Sequence, residues 1–167
     1  MTEENGALVI RRADASDGDA IWDVIRPTLR AGETYALPRD ISKAEALALW
    51  LAPDRETYLA EDGGRALGVS YLRANQGGGG AHVANCGYVT APEAVGRGVA
   101  RALCAHSLAR ARYRGFRAMQ FNFVVSTNDR AVRLWRSFGF DTVGVLPDAF
   151  EHPTLGVVDA LVMHRRL

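Results

Sequence analysis

The stretch that most restricts what this chain can become is VTAPEAVGRGVARAL, residues 89–103. An apolar strand end, a proline and Gly96-Arg97-Gly98 lead directly into a helical pattern. Glycine weakens a helix entry through its conformational freedom, so its presence here means that something must come close to the backbone. The first N–H groups of a helix have no intrahelical partner, and the helix dipole favours negative charge beside them. Strand, glycine loop and helix start together predict an anion site, with Arg97 and Arg101 adding positive charge at its rim. The loop has no Walker lysine. It also fails the dinucleotide fingerprint, because Arg101 stands where the third glycine belongs and the preceding strand is not the first of the chain. The competing reading is that Gly96 and Gly98 serve only a tight strand-to-helix turn.

Hydrophobic periodicity sets the elements around this loop. ALVIRRA (7–13) reads as a strand. The next segment places Ile21, Trp22, Ile25 and Leu29 on one helical face, capped by Ser16 or Asp17, with Pro27 expected to kink or divide it. ISKAEALALWLAP (41–53) predicts a second helix, with Ser42 and Glu45 forming a capping box and Pro53 stopping it. ETYLAEDGGRALGVSYLRANQ predicts strand, Asp62-Gly63-Gly64 turn and strand. Gly77–Gly80 reads as a hairpin connection, and 81–91 as a third strand. From Arg97 to Arg114 the helical period returns, with a stripe of Ala100, Leu103, Cys104, Ser107, Leu108 and Ala111 and with Gly115 as the stop. A buried strand (117–125), a helix carrying Ala131, Leu134, Trp135 and Phe138 on one face, and two last strands linked by a loop containing Pro147 and Pro153 complete the chain. The strand–helix–strand unit over 81–125 implies a parallel pair inside an otherwise antiparallel sheet. The fold class is therefore α/β with a mixed sheet, in one domain spanning 1–167.

Composition narrows the function classes. A net charge of +1 with scattered arginines gives no electrostatic footprint for nucleic acid. No run approaches the ~18 apolar residues of a membrane span, and no secretory leader is read at the start, so a cytoplasmic protein is expected. Cys86 and Cys104 read as reduced, buried thiols. The four histidines show no metal spacing, so no metal is expected.

Two motifs then carry a resemblance. Val95-x-x-Gly98-x-Ala100, following a strand that ends Val-x-x-Pro, resembles the acetyl-coenzyme A loop of the GCN5-related N-acetyltransferase (GNAT) superfamily, with Val95 departing from the usual polar residue. Asn128, Ala131, Leu134, Trp135, Gly139 and Phe140 resemble its second signature, in the expected order and one strand later. The resemblance covers nearly the whole chain. It implies a V-shaped gap between the strands near 81–91 and 117–125, about four flanking helices, and acetyl-CoA as cosubstrate. Pantetheine would lie in the gap against backbone near Val89, and the pyrophosphate on the N–H groups of Gly96, Arg97, Gly98, Val99, Ala100 and Arg101. Asn128 would touch the cofactor, act as a plain helix N-cap, or do both. A homodimer through the C-terminal strands is also implied.

The chemistry to be performed is removal of a proton from an ammonium, polarisation of a thioester carbonyl and accommodation of a thiolate. A backbone N–H near Tyr88 or Val89 is the expected polarising group. Trp135 stands where many relatives have a tyrosine; its indole N–H is not acidic, so it reads as a core residue. The strand over 81–91 holds no carboxylate. Asn85 stands there instead, and Asn122 on the neighbouring strand, either as an amide pair joining the strands or as a grip on substrate. Glu33 is the candidate for handling the ammonium proton, against a plain solvated carboxylate. The asparagine arrangement is similar to a subgroup acting on proline-like amino acids. The expected function is acetyl transfer from acetyl-CoA to the amine of a small molecule or amino acid by direct attack. A protein N-terminal acetyltransferase and a non-catalytic acyl-CoA sensor are the alternatives.

Overall fold

A computed structural model describes residues 8–167; the part of the first predicted strand at position 7 lies outside the described residues. Seven strands form one sheet in the order β1-β2-β3-β4-β5-β7-β6. They are β1 (Val9–Arg12), β2 (Glu56–Asp62), β3 (Arg65–Ala74), β4 (Val83–Thr90), β5 (Ala118–Val125), β6 (Asp141–His152) and β7 (Gly156–Arg166). Four α-helices intervene: α1 (Gly18–Ala31), α2 (Lys43–Trp50), α3 (Val99–Tyr113) and α4 (Asp129–Ser137). All neighbouring strands are antiparallel except β4 and β5, which run parallel and are joined through α3. The mixed sheet expected from the sequence is thus observed.

The β4–β5 pairing is short. Val83 faces Ala118 and Ala84 faces Met119, and beyond these two positions the strands part. This is the V-shaped gap. Where the ladder stops, the Asn85 side chain takes over: its Nδ2 donates to the Gln120 carbonyl at 3.0 Å. Asn85 therefore does join the two strands, through a main-chain carbonyl and not through Asn122.

Local sequence chemistry accounts for the element ends. Ser42 and Glu45 form the predicted capping box on α2. The start of α1 differs from expectation. Asp14 is the capping side chain, accepting from the Ser16 N–H at 2.8 Å, and the chain enters the helix through a short 3-10 turn. The helix also runs through Pro27 undivided. The carbonyl that Pro27 leaves without a donor belongs to the exposed Asp23, where water can reach it. Leu29, one half-turn further on, is fully buried, which stabilises by about 1.5–3 kcal/mol, the same order as the ~3 kcal/mol penalty of an internal proline. Pro147 lies within β6 and not in a linking loop. β6 is the outermost strand, and its register breaks between Leu146 and Phe150; an edge and an irregularity are the two places where a strand tolerates a missing N–H.

The core has two clusters. One joins α1 and α2 to β2, β3 and the start of α3. The other joins the rest of α3 and α4 to β4, β5 and β7. Tyr88 packs against both, at the mouth of the gap. The buried Glu56 anchors β2 to the C-terminal half of α3, accepting from Arg110 Nε at 2.7 Å and from the Tyr58 hydroxyl at 2.7 Å.

Candidate active site

The helix mouth departs from expectation at Arg97, whose N–H donates to the Ala94 carbonyl at 3.1 Å and so is taken up by the loop itself. Gly96 (φ +86°) and Gly98 (φ +80°) both adopt the left-handed conformation. An added Cβ at either would point into open space, so backbone conformation, and not a crowded neighbour, demands glycine here. Ala102 is the first residue at this helix start whose N–H finds a helical acceptor, the Gly98 carbonyl at 3.0 Å. The N–H groups of Val99, Ala100 and Arg101 precede it and remain for a ligand. Val99 itself is buried and fixes the helix start against β3. Arg97 is tied to Asp62 at 2.7 Å. Arg101 reaches Ser137 at 3.4 Å and lies over the Phe138 ring, linking the mouth of α3 to the end of α4.

The strand register decides which main-chain groups face the gap. Asn75 N–H donates to Val83 and Ala91 N–H to Leu67, each at 2.8 Å, at the two ends of an unbroken β3–β4 register. Antiparallel pairs alternate between bonded and non-bonded, so Asn85, Gly87 and Val89 direct their backbone groups at β3. Those of Cys86, Tyr88 and Thr90 point the other way, into the gap. The expectation for Val89 is corrected by one residue: its backbone is occupied by Val69, and Tyr88 presents the N–H. The Tyr88 carbonyl accepts from the Tyr35 hydroxyl at 3.1 Å, which draws the loop after α1 across the opening.

Behind the gap lies a cavity of about 410 Å³. Its wall brings together Asn85, Asn122 and Asn128 with Thr34–Leu37, Trp50, Arg55, Tyr71, Arg73 and Trp135. Asn85 is buried and its Oδ1 accepts no protein hydrogen bond among the described residues. Asn122 sits where the β5 register breaks between Phe121 and Val124. Its amide accepts from Gln120 Nε2 at 2.9 Å and donates to Asn75 at 2.6 Å. Asn128 caps α4, its Oδ1 accepting from the Ala131 N–H at 3.4 Å. Glu33 is exposed and does not line the cavity, although Thr34 and Tyr35 beside it do; its carboxylate stays with solvent. Trp135 is buried, its ring 4.9 Å from Tyr88 and 5.0 Å from Phe121, as the core reading required.

Burial pushes the Cys86 thiol up to about 12 and that of Cys104 likewise, so neither is a thiolate near neutral pH. Burial also raises the Tyr88 phenol well above its ordinary value. Among the described residues no cluster of His, Cys, Asp or Glu is placed to hold a metal, and no helix is long and apolar enough to cross a membrane.

With this geometry in hand, the family is decided by a sequence profile: that of the Acetyltransferase (GNAT) family matches residues 19–140. The chain belongs to this family. A GCN5-related N-acetyltransferase from Kribbella flavida shares 45% identity with it at a TM-score of 0.92, covering 96% of this chain and 98% of that one. A phosphinothricin acetyltransferase from Sinorhizobium meliloti, in complex with AcCoA, superposes with a TM-score of 0.83 at 23% identity over 96% and 88% of the two chains, a likeness of fold. The N-acetyltransferase aca1 of Schizosaccharomyces pombe is 33% identical over 98 residues, which is 59% of this chain. The match spans about half, 47%, of that relative's length.

Sequence reasoning missed Trp50, Tyr35, Arg55, Tyr71 and Arg73 in this GNAT cavity. Tyr71 and Arg73 face Gly87 and Asn85 across β3–β4, so strand alternation extended to β3 was the available signal.

Proposed function

We propose that this chain transfers an acetyl group from acetyl-CoA to the amine of a small molecule. One observation carries the reading: a helix mouth with free N–H groups opens onto a strand gap that leads to a side-chain-lined cavity. Acetyl-CoA would supply the activated acetyl thioester. The free N–H groups of Val99, Ala100 and Arg101 suit a diphosphate, and the Tyr88 N–H faces the gap where a carbonyl oxygen can be polarised.

The remaining steps fall to few groups. Both cysteines are held as thiols, which favours direct attack over an acyl-enzyme. Trp135 offers no acidic proton, and a leaving thiol with a pKa of ~8.5 can depart as thiolate. Among the described residues no aspartate or glutamate lines the cavity. The acceptor's ammonium proton is then left to water at the cavity opening. The open Oδ1 of Asn85 is the acceptor we assign to the amine N–H, with Asn122 supporting the wall beside it.

Cavity size and the Tyr35 closure favour a small acceptor over a peptide. The absence of a carboxylate from the wall is what keeps the sensor reading in view. The test is calorimetry with acetyl-CoA together with thiol release on a panel of amines. Binding with turnover on at least one small amine is expected. Binding with no turnover on any acceptor would favour the sensor, and turnover confined to peptides the N-terminal enzyme; absence of binding would sink all three.

A further inference from the structure

The cavity wall carries more positive charge than the protein neutralises. Arg55 and Arg73 both line it, and among the described residues no acidic one does. The Arg55 guanidinium lies 4.2 Å from the centre of the Tyr71 ring. Its nearest acid is Asp54 at 4.0 Å, beyond hydrogen-bond reach, and its Nε is buried with no partner among the described residues. Among the described residues the Arg73 side chain has a single hydrogen bond, from Nη1 to Asp54 at 3.3 Å, and its Nε is also buried without a partner. Asp54 is the one carboxylate both share, and its side chain is 59% exposed, so solvent screens it. The indole N–H of Trp50, in the same wall, is a third buried donor without an acceptor.

Three buried donors with no acceptor, two of them on cations, form a costly arrangement unless something else completes it. Strand pairing built it. Tyr71 lies opposite Gly87, and a Cβ at Gly87 would meet the Tyr71 ring at 2.4 Å. Glycine there lets the ring lie across the sheet as a platform under Arg55. A guanidinium stacked on a ring keeps its edge N–H groups free for a carboxylate. Arg73 stands directly opposite Asn85, so the cationic wall adjoins the amide assigned to the amine.

We propose that Arg55 and Arg73 form a specificity subsite for a carboxylate on the acceptor, so that the amine substrate is itself an acid. This rests on the acetyl-transfer reading above, and the two can fail separately. Free α-amino acids are compared with their own carboxamides at saturating acetyl-CoA, with thiol release as readout, in the full-length chain. For the wild type, kcat/KM is expected to favour the acid by on the order of tenfold or more. In Arg55→Gln and in Arg73→Gln that ratio is expected to fall to within about threefold of unity, through a raised acceptor KM, while the acetyl-CoA KM holds. Arg55→Lys is expected to keep part of the preference. The ratio is taken within one preparation, so a loss of folded protein cancels. A wild type that acetylates carboxamides as readily as acids, or variants that keep the wild-type ratio, would overturn the subsite and leave acetyl transfer standing. Turnover on amines but on no acid would likewise overturn the subsite alone; failure to bind acetyl-CoA, or no turnover on any acceptor, would overturn both.

Discussion

Gly98 holds φ at +80° in the position just before α3, and its conformation aims the next three N–H groups in one direction. An L-residue with a Cβ pays ~1–2 kcal/mol in that region. Gly98→Ala meets no neighbouring atom, so its whole effect is conformational. If the loop relieves the strain by leaving the left-handed region, the N–H groups lose their common aim. Acetyl-CoA affinity is then expected to fall by on the order of tenfold, the equivalent of ~1.4 kcal/mol. Arg97→Ala removes only an exposed ion pair to Asp62, and exposed pairs contribute ~0–1 kcal/mol, so it should change affinity by about fivefold at most. Calorimetry on the two variants reads the difference; equal effects would mean that side-chain charge, and not backbone aim, holds the ligand. At this scale the glycine loop was legible because a glycine pair at a helix entry has few explanations. Arg55 was not, because a lone arginine after a turn has many, and only its missing partners single it out.

Asn85 marks the point where two elements separate. In β4 and β5 the ladder supplies hydrogen bonds for two positions and then stops, and one side-chain amide satisfies the next carbonyl. Asn85→Ala leaves the Gln120 carbonyl without that donor inside the fold, a loss of about 1–3 kcal/mol for an unsatisfied buried group. It also removes the open Oδ1 from the cavity. Urea denaturation is expected to show a lowered midpoint with an unchanged slope, and kinetics a damaged acceptor kcat/KM. A variant with normal stability would show that water replaces the amide freely. Element order was legible for physical reasons: the apolar period switches between two and 3.6, and Ser42 with Glu45 marks a helix start in the sequence itself. Pro147 and Pro27 misled because a proline's cost depends on where its missing N–H would have pointed. That depends on β6 being an edge strand and on Asp23 facing solvent, and neither is written locally. The cavity residues were hidden for the same reason. Trp50, Arg55, Tyr71 and Arg73 meet through α2 packing and strand register, not through sequence spacing.

Across the whole molecule, one hydrophobic cluster straddles the gap from β4 to β5, and Tyr88 packs against it and against the other cluster. The β4–β5 seam has two paired positions, whereas β3 and β4 pair along seven residues. A ligand lying in the gap and capped by the mouth of α3 would bridge the seam and add bonds to both sides at once. Such a ligand binds the folded chain and not the unfolded one, so it stabilises by mass action, by about 2.7 kcal/mol at a hundredfold excess over Kd. For a domain of this size each kcal/mol moves Tm by ~2–4 °C, which gives an expected rise of roughly 5–11 °C with acetyl-CoA at that excess. Inorganic pyrophosphate can meet only the α3 mouth and cannot span the seam. At equal multiples of its own, weaker Kd it would give the same shift, so the informative comparison is at equal concentration, where its shift should be far smaller. Amide hydrogen exchange separates the two further: acetyl-CoA should slow exchange at Tyr88 and along the gap side of β4 as well as at Val99–Arg101, and pyrophosphate at Val99–Arg101 alone. Equal protection by both would mean that the gap takes no part in binding and that the splayed strands are only a feature of the sheet.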